Sequence, residues 1–520
     1  MTSKSESPKP ESAGKNQPDR TPFWLGILAL LFSVAFVLPG LTGHGPWQQD
    51  EVESLNVVHS MLETGDLVVP KLGTDPYIAK PPAFYVTAAT IADLYNQALS
   101  LPLPAGAQVP DALKLSSDDA ARLATGLYLF ILFGFTVLLG RATWLRDGQN
   151  QAEGAIALLV LMGTLGLVQS AHFLVADIAV SAGIAMALYG LVIAPRRVVW
   201  GGIWLGTGAG LAFMSKGLVW PGIIAVTALL LPLFRDWRSG RYLRALIVAL
   251  VAALPWLLVW PTLLYLRDPD LFQLWLWGND IQRYLEFYQN SEQLVSPATT
   301  QFWLYTWPWF TFPAAVLALV ALLLRITDVW SSRGIRVILV ASIVGWALLL
   351  IAPDARELYA LPLLAPLAVI AAGGVTQLPR WVITPVYLLS VLIFGLGAAL
   401  LWGLWVYHMF TGQPLQHAAL AAYLPMDFGF VWHPIAFVTA AFFTFIWIWI
   451  AMRLRAPRKA ALLVWPAGVV MLWGLISLLH LPWVDAASTL SGKPSETSAA
   501  MPAPASPTGG ADAKAKAKGG

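Results

Sequence analysis

Two acids, a lysine and two prolines stand close together early in the chain, in PWQQDEVESLNVVHSMLETGDLVVPKLGTDPYIAKPPAFY, from Pro46 to Tyr85. Asp50 and Glu51 open a helix-like run that Gly65 is placed to end. Lys80 precedes Pro81 and Pro82, which restrict the backbone beside it. A carboxylate can serve as a general base or hold a cation, and a positioned lysine can neutralise phosphate oxygens. Similar polar islands recur downstream. Asp177 lies in AHFLVADIAV and Lys216 in AFMSKGLVW. Asp280, Arg283 and Glu286 share GNDIQRYLEFY, and Asp354, Arg356, Glu357 and Tyr359 share PDARELY. Each has a plainer reading. Asp50 with Glu53 fits a capping pattern, Glu51 fits a solvated surface charge, and Lys80 fits a cation snorkelling to an interface. Arg356 and Glu357 could pair with each other.

The elements that must carry these residues follow from composition. The 520 residues are 57% hydrophobic and 12% charged, with 25 Trp and a mean hydropathy of +0.65. A soluble domain carries about 25% charged residues. Apolar runs recur at the length of a bilayer crossing, so the chain reads as an all-α polytopic membrane protein of about 13 spans. A transmembrane barrel would show short alternating segments instead. The first span starts at Phe23, the largest polar insertion covers 41–121, and further spans follow to residue 480. Within the insertion, residues 83–99 are apolar but interrupted, as in a helix lying at the interface. Residues 1–22 and 481–520 have the composition of disordered termini, the first cytoplasmic and the second external.

With the N-terminus in the cytoplasm, strict alternation of spans gathers most cations inside, among them Arg141, Arg196, Arg197, Arg235, Arg238, Arg241, Arg244, Arg333, Arg336 and Arg380. All the polar islands then fall together on the external face. A polytopic lipid or polysaccharide transporter is the alternative, and it would place ionisable groups nearer mid-span. Cysteine is absent, which excludes disulfides, thiolate nucleophiles and Cys-ligated zinc. The seven histidines are scattered without metal-ligand spacing and read as packing or surface residues. No glycine-rich nucleotide loop occurs, and a net charge of +3 does not mark a nucleic-acid partner.

The stretch DEVESLNVVHSMLETGDLVVPKLGTDPYIAKPPAFY resembles the first external loop of the aminoarabinose-transferase-like branch of GT-C glycosyltransferases, a branch related to protein O-mannosyltransferases. DDAARLATGLYLF, FLVADIAVSAGIAMALYG, GLAFMSKGLVWP, NDIQRY and ARELYALPLLAPLAVI continue the resemblance in family order. It covers residues 23–375, with additional transmembrane helices over 376–480. The resemblance implies transfer of a monosaccharide, with inversion, from a polyprenyl-phosphate donor to a lipid A-like glycolipid or a protein on the external face of a bacterial inner membrane. It implies that Asp50 activates the acceptor, with Glu51 beside it. Lys80, Arg283, Lys216, Arg356 and Tyr359 would lie at the donor phosphate, and Asp177 at an outer span end. Two departures bear on a divalent metal. Ala79 stands where metal-using members carry a carboxylate, and Asp280 where they carry His. Asn279 and Asp280 remain as oxygen ligands for a hard cation.

Overall fold

The computed structural model describes residues 23–101, 110, 114–144, 152–282, 296–324, 331–352, 355–375, 378–412, 429–453 and 457–485. Helix α1 (Phe23–Val37) leads into an insertion holding α2 (Gln49–Thr64), an antiparallel hairpin of β1 (Lys71–Leu72) with β2 (Asp75–Pro76), and α3 (Ala83–Ser100). Next come α4 (Ser117–Trp144), α5 (Ala152–Met162), α6 (Leu165–Ser170), α7 (Ala176–Ile193), α8 (Val198–Lys216) and α9 (Val219–Leu230). Helices α10 (Gly240–Arg267) and α11 (Pro269–Gln273) precede a π-helical turn, Leu274–Gln282. Then follow α12 (Pro297–Phe310), α13 (Ala314–Leu324), α14 (Arg333–Ile351) and a 3-10 turn, Glu357–Leu363, running into α15 (Leu364–Val375). Helices α16 (Arg380–Thr411), α17 (Pro434–Arg453) and α18 (Pro457–Leu475) complete the described chain.

Among the described residues, 9 helices are long and apolar enough to cross a membrane, or 10 if the bent pair α12–α13 is one span. The count is smaller than that read from apolar runs because hydropathy ignores helix breaks. Three expected spans appear as shorter apolar helices, Gly26–Val37, Ala152–Met162 and Val219–Leu233. The α12–α13 pair bends by 84° beside Pro313, which has no N–H to donate to the ladder.

Helix α7 is the centre of the bundle. Its apolar window is 89% buried, against 17% for α10 and 22% for α16, so those two present most of their surface to the bilayer. Small residues explain the difference. Gly183 on α7 meets the carbonyl of Gly208 on α8, and a Cβ at either position would collide with backbone. Close backbone approach of this kind replaces the missing hydrophobic drive between helices in lipid. The two helices are nearly equal in length, 18 and 19 residues, and a short turn joins them. The start of α7 and the end of α8 therefore lie at the same level.

Helix α2 lies over the ends of the helices that carry Asp177 and Lys216. Leu55, Val58 and Met61 recur at helical spacing and are buried. Gly65 ends the helix in the left-handed region at φ 68°, its N–H reaching the Met61 carbonyl. The Asp50–Glu53 capping box is not formed. Gln48 occupies the N-cap, and Glu51, not Glu53, reaches back to accept the Trp47 N–H at 3.0 Å. Beyond α2, Trp260 on α10 donates to the Val68 carbonyl at 2.9 Å, and Arg267 pairs with Asp66 at 2.7 Å. These contacts tie the loop to the outer end of α10.

The α7–α8 contact generates a test. Gly208→Leu is expected to destabilise the fold by about 1–3 kcal/mol or more through overpacking, read as a lower unfolding temperature in detergent. Gly222→Ala on α9, where a Cβ meets open space, serves as the control and is expected to unfold like wild type.

Candidate functional site

The level set by α7 and α8 brings the first pair of charges together. Lys216, in the last turn of α8, donates to Asp177 Oδ1 at 2.5 Å. Asp177 is in the first turn of α7, where the helix dipole favours a carboxylate. The ammonium of Lys216 also lies over the Tyr359 ring, 4.5 Å from its centroid. At that distance the ring face adds a cation–π attraction.

The insertion supplies a second pair. Lys80 donates to Glu53 Oε1 at 2.9 Å, and the Tyr77 hydroxyl donates to the same oxygen at 2.5 Å. The Tyr85 hydroxyl is 3.4 Å from that of Tyr77. Burial opposes the Glu53 carboxylate, but Lys80 and then Tyr77 outweigh it and hold its pKa below the ordinary range. Burial likewise opposes the Lys80 ammonium, and the Tyr85 hydroxyl and Glu53 carboxylate outweigh it, raising its pKa.

A third pair spans the gap between loop and bundle. Arg356 donates to Asp50 Oδ1 at 3.3 Å. It is the longest and most open of the three, with side chains 56% and 28% exposed. Asp50 and Lys80 both lie within electrostatic range of Lys216. The structure thus places Asp50, Lys80, Asp177, Lys216, Arg356 and Tyr359 in one cluster. Gln169 donates to Glu357 at 3.1 Å, so Glu357 is held by α6 and not by its neighbour Arg356.

Glu51 points elsewhere. Adjacent helical residues are about 100° apart, so it cannot share the face of Asp50. Its side chain and that of Arg122 are both 0% exposed, with Arg122 Nε donating to Glu51 Oε1 at 2.8 Å. Arg122 Nη1 also donates to the His44 carbonyl at 2.8 Å and to Asp119 at 3.1 Å. Leu174 N–H reaches Glu51 Oε1 at 3.3 Å. Asp485, at the end of the described chain, accepts the Gly45 N–H at 2.7 Å and the Trp47 indole N–H at 3.1 Å. His44 stacks on Trp47 and His172 on Trp473, as packing residues.

Arg283 lies outside the described residues. So do the side chains of Asn279 and Asp280, whose backbone belongs to the π-helical turn after α11. Among the described residues no three His, Asp or Glu side chains gather as a metal site. The three carboxylates of the cluster each face a cation. Sequence reading missed Glu53, Tyr77 and Tyr85 as partners of Lys80. The signal for Glu53 was its spacing, since residues three apart share a helix face with Asp50.

The chain is 26% identical over 370 residues to the undecaprenyl phosphate-alpha-4-amino-4-deoxy-L-arabinose arabinosyl transferase of Serratia proteamaculans, covering 67% of this chain and 59% of that one. It is 28% identical over 372 residues to the first such transferase of Sodalis glossinidius, covering 67% and 58%. The chain thus spans under two thirds of the length of these relatives. Its fold is similar to that of ArnT from Cupriavidus metallidurans bound to undecaprenyl phosphate, with a TM-score of 0.56 at 16% identity over 88% of this chain and 76% of that one. No family model matches. The chain is therefore a distant relative of these transferases and has the GT-C-like membrane fold of ArnT.

Two predictions separate the buried pair from the exposed cluster. Removing one partner of a buried ion pair strands a charge, so Arg122→Met is expected to cost about 3–5 kcal/mol of stability. Asp50→Asn breaks an open pair and is expected to cost about 1 kcal/mol or less. Thermal unfolding of both variants in detergent checks the contrast. The Glu53–Lys80 pair has a pH signature. A lowered carboxylate pKa stabilises above the ordinary glutamate value and is lost as pH falls through the folded value. A raised lysine pKa stabilises below the ordinary lysine value and is lost as pH rises through the folded one. The stability lost in Glu53→Gln is therefore expected to be constant from about pH 4.3 to about pH 10.4 and to shrink on both sides. A constant difference below that window would show that the charge of Glu53 is not the source.

Proposed function

We propose that this protein is an integral membrane glycosyltransferase that uses a polyprenyl-phosphate-linked monosaccharide, and that the paired-charge cluster is its active site. The carrying observation is that Lys80, Lys216 and Arg356, from three distant segments, meet carboxylates at one end of the helices. A departing lipid phosphate is the largest charge that develops in such a transfer, and preorganised cations stabilise it most. The names of the relatives support an undecaprenyl phosphate-linked donor. The segments carrying α1, α5–α6 and α9 would also cross the bilayer, giving the 13 crossings read from hydropathy. The N-terminus would then be cytoplasmic and the cluster external, as the arginines at the opposite helix ends favour.

In this reading the acceptor oxygen attacks the anomeric carbon from the face opposite the phosphate. The new C–O bond forms as the bond to the phosphate oxygen breaks, which inverts the configuration. The electron pair leaves on the phosphate, where Lys80, Lys216 and Arg356 neutralise it, joined by Arg283. Asp50 orients the acceptor and takes its proton when the acceptor is a hydroxyl; a phosphate acceptor is already ionised and needs positioning alone. Asp177 holds Lys216 in place, and Glu53 and Tyr77 hold Lys80. Glu51 fixes the start of α2 through Arg122 and acts only through position.

The pairing pattern gives an order of events. Arg356–Asp50 is exposed and worth about 0–1 kcal/mol, so an incoming phosphate can draw Arg356 away at little cost. That exchange frees the Asp50 carboxylate for the acceptor only when the donor is bound. No step is routed through a metal.

The test is transfer from a labelled polyprenyl-phosphate sugar to a lipid A-type glycolipid in reconstituted vesicles. Asp50→Asn is expected to lose about 100-fold or more in turnover, the usual worth of a general base. Lys80→Ala is expected to lose activity without loss of folding. Wild-type turnover in Asp50→Asn would remove Asp50 from the mechanism. Lipid flipping that survives both substitutions would favour the transporter instead. Mass spectrometry of lipid A and of glycoproteins in a deletion strain decides between the two acceptor classes.

A further inference from the structure

Helices α1, α4 and α5 leave a cleft between them, far from the charged cluster. It encloses about 380 Å³ and is lined by Gly26 and Ser33 of α1, Phe133, Gly134 and Arg141 of α4, and Leu158 of α5. On α4, Asp119 stands at the cluster end and Arg141 in the last turn. At a rise of 1.5 Å per residue these positions are about 33 Å apart, the thickness of a hydrocarbon core. The cleft therefore opens at the opposite membrane face from the proposed active site.

Its chemistry is one-sided. Ser33 donates its hydroxyl to the Ala29 carbonyl at 2.8 Å, so that wall offers no free polar group. Arg141 is the cation of the cleft. Its stem packs against α5 at Gly154, and its Nε is buried with no hydrogen-bond partner. The guanidinium lines the cleft, and its remaining N–H groups suit an anionic oxygen. The cleft is also open where a chain could lie. A Cβ added at Gly26 or at Gly134 would meet nothing within 4 Å. Leu30, 58% exposed, lines it and faces the bilayer, so lipid is the molecule within reach.

We propose that this cleft binds one anionic phospholipid, with its phosphate on Arg141 and an acyl chain along Gly134 and Gly26. The surrounding membrane face suits such a lipid. Arg196, Arg197, Arg235, Arg238 and Arg333 lie at the same helix ends and raise the local concentration of anionic headgroups. Those surface arginines attract anionic lipid in general; the cleft adds a fixed place for one. The bound lipid would fill the seam between α1 and α4, the helices that flank the insertion carrying α2.

The test is native mass spectrometry of the full chain in mild detergent, with equal amounts of phosphatidylglycerol and phosphatidylcholine of the same acyl chains. One retained lipid is expected, with about fivefold preference for phosphatidylglycerol, the worth of one near-surface cation at about 1 kcal/mol. Arg141→Gln is expected to keep a lipid but lose the preference. Gly134→Leu places its Cβ in open space and its side chain in the cleft, and is expected to lose the retained lipid of both kinds while unfolding like wild type. An unchanged preference in Arg141→Gln, or an unchanged retained lipid in Gly134→Leu, would overturn the proposal. If Arg141→Gln does not fold, Gly134→Leu and Gly26→Leu carry the test alone.

Discussion

The buried pair of Glu51 and Arg122 holds the extramembrane insertion in register with the bundle. Both side chains are wholly buried, so the pair depends on the further hydrogen bonds that surround it. The His44 carbonyl, Asp119, the Trp47 N–H and the Leu174 N–H bond to it, and Arg122 Nη2 alone of its guanidinium nitrogens is left without a hydrogen-bond partner. These partners come from the start of the insertion, from α4 and from the segment before α7. One ionic contact therefore fixes the first turn of α2 against two membrane helices. Asp50, one residue earlier and a hundred degrees round the helix, is turned toward the cluster as a consequence.

In the proposed reading the cluster exchanges partners with a phosphate. Its three cations face three carboxylates, so the resting site is close to neutral. A site of free cations at a membrane surface would attract any anionic headgroup. In the proposed reading, pairing them makes occupancy depend on a ligand that offers several phosphate oxygens at once. The pairs differ in how tightly they are held. Lys216–Asp177 sits at the α7–α8 junction, with the lysine over Tyr359, and Lys80–Glu53 is backed by two tyrosines. Arg356–Asp50 has no such backing and is the pair that can open.

The membrane helices contribute level and spacing. Glycine contact sets the distance between α7 and α8, and their matched lengths set Asp177 beside Lys216. The same use of glycine appears with opposite effect at the far face. There Gly26 and Gly134 face open space and leave a cleft instead of a contact. Whether a small residue closes a helix pair or opens a seam depends on what stands across from it.

Much was legible in the chain before any coordinates. Apolar runs at the bilayer length specify membrane helices, because no other arrangement satisfies the backbone in lipid. Loops between them were bound to hold the reactive groups, and Asp50, Lys80, Asp177, Lys216, Arg356 and Tyr359 do meet at one end of the bundle. The Asp50–Glu53 capping pattern is not realised, because Gln48 holds the N-cap position. Glu51, next to Asp50 in sequence, is neither a solvated charge nor part of the cluster but is buried against Arg122. No local pattern marked Arg122 as the partner of Glu51, or Tyr77 and Tyr85 as neighbours of Lys80, and only helical spacing hinted at Glu53. Sequence alone determined which residues are polar, where the membrane begins and which helices are amphipathic, since these depend on local composition and period. The tertiary structure decided who pairs with whom. An ion pair forms across tens to hundreds of residues, and its geometry depends on how closely helices pack, a quantity that no local pattern encodes.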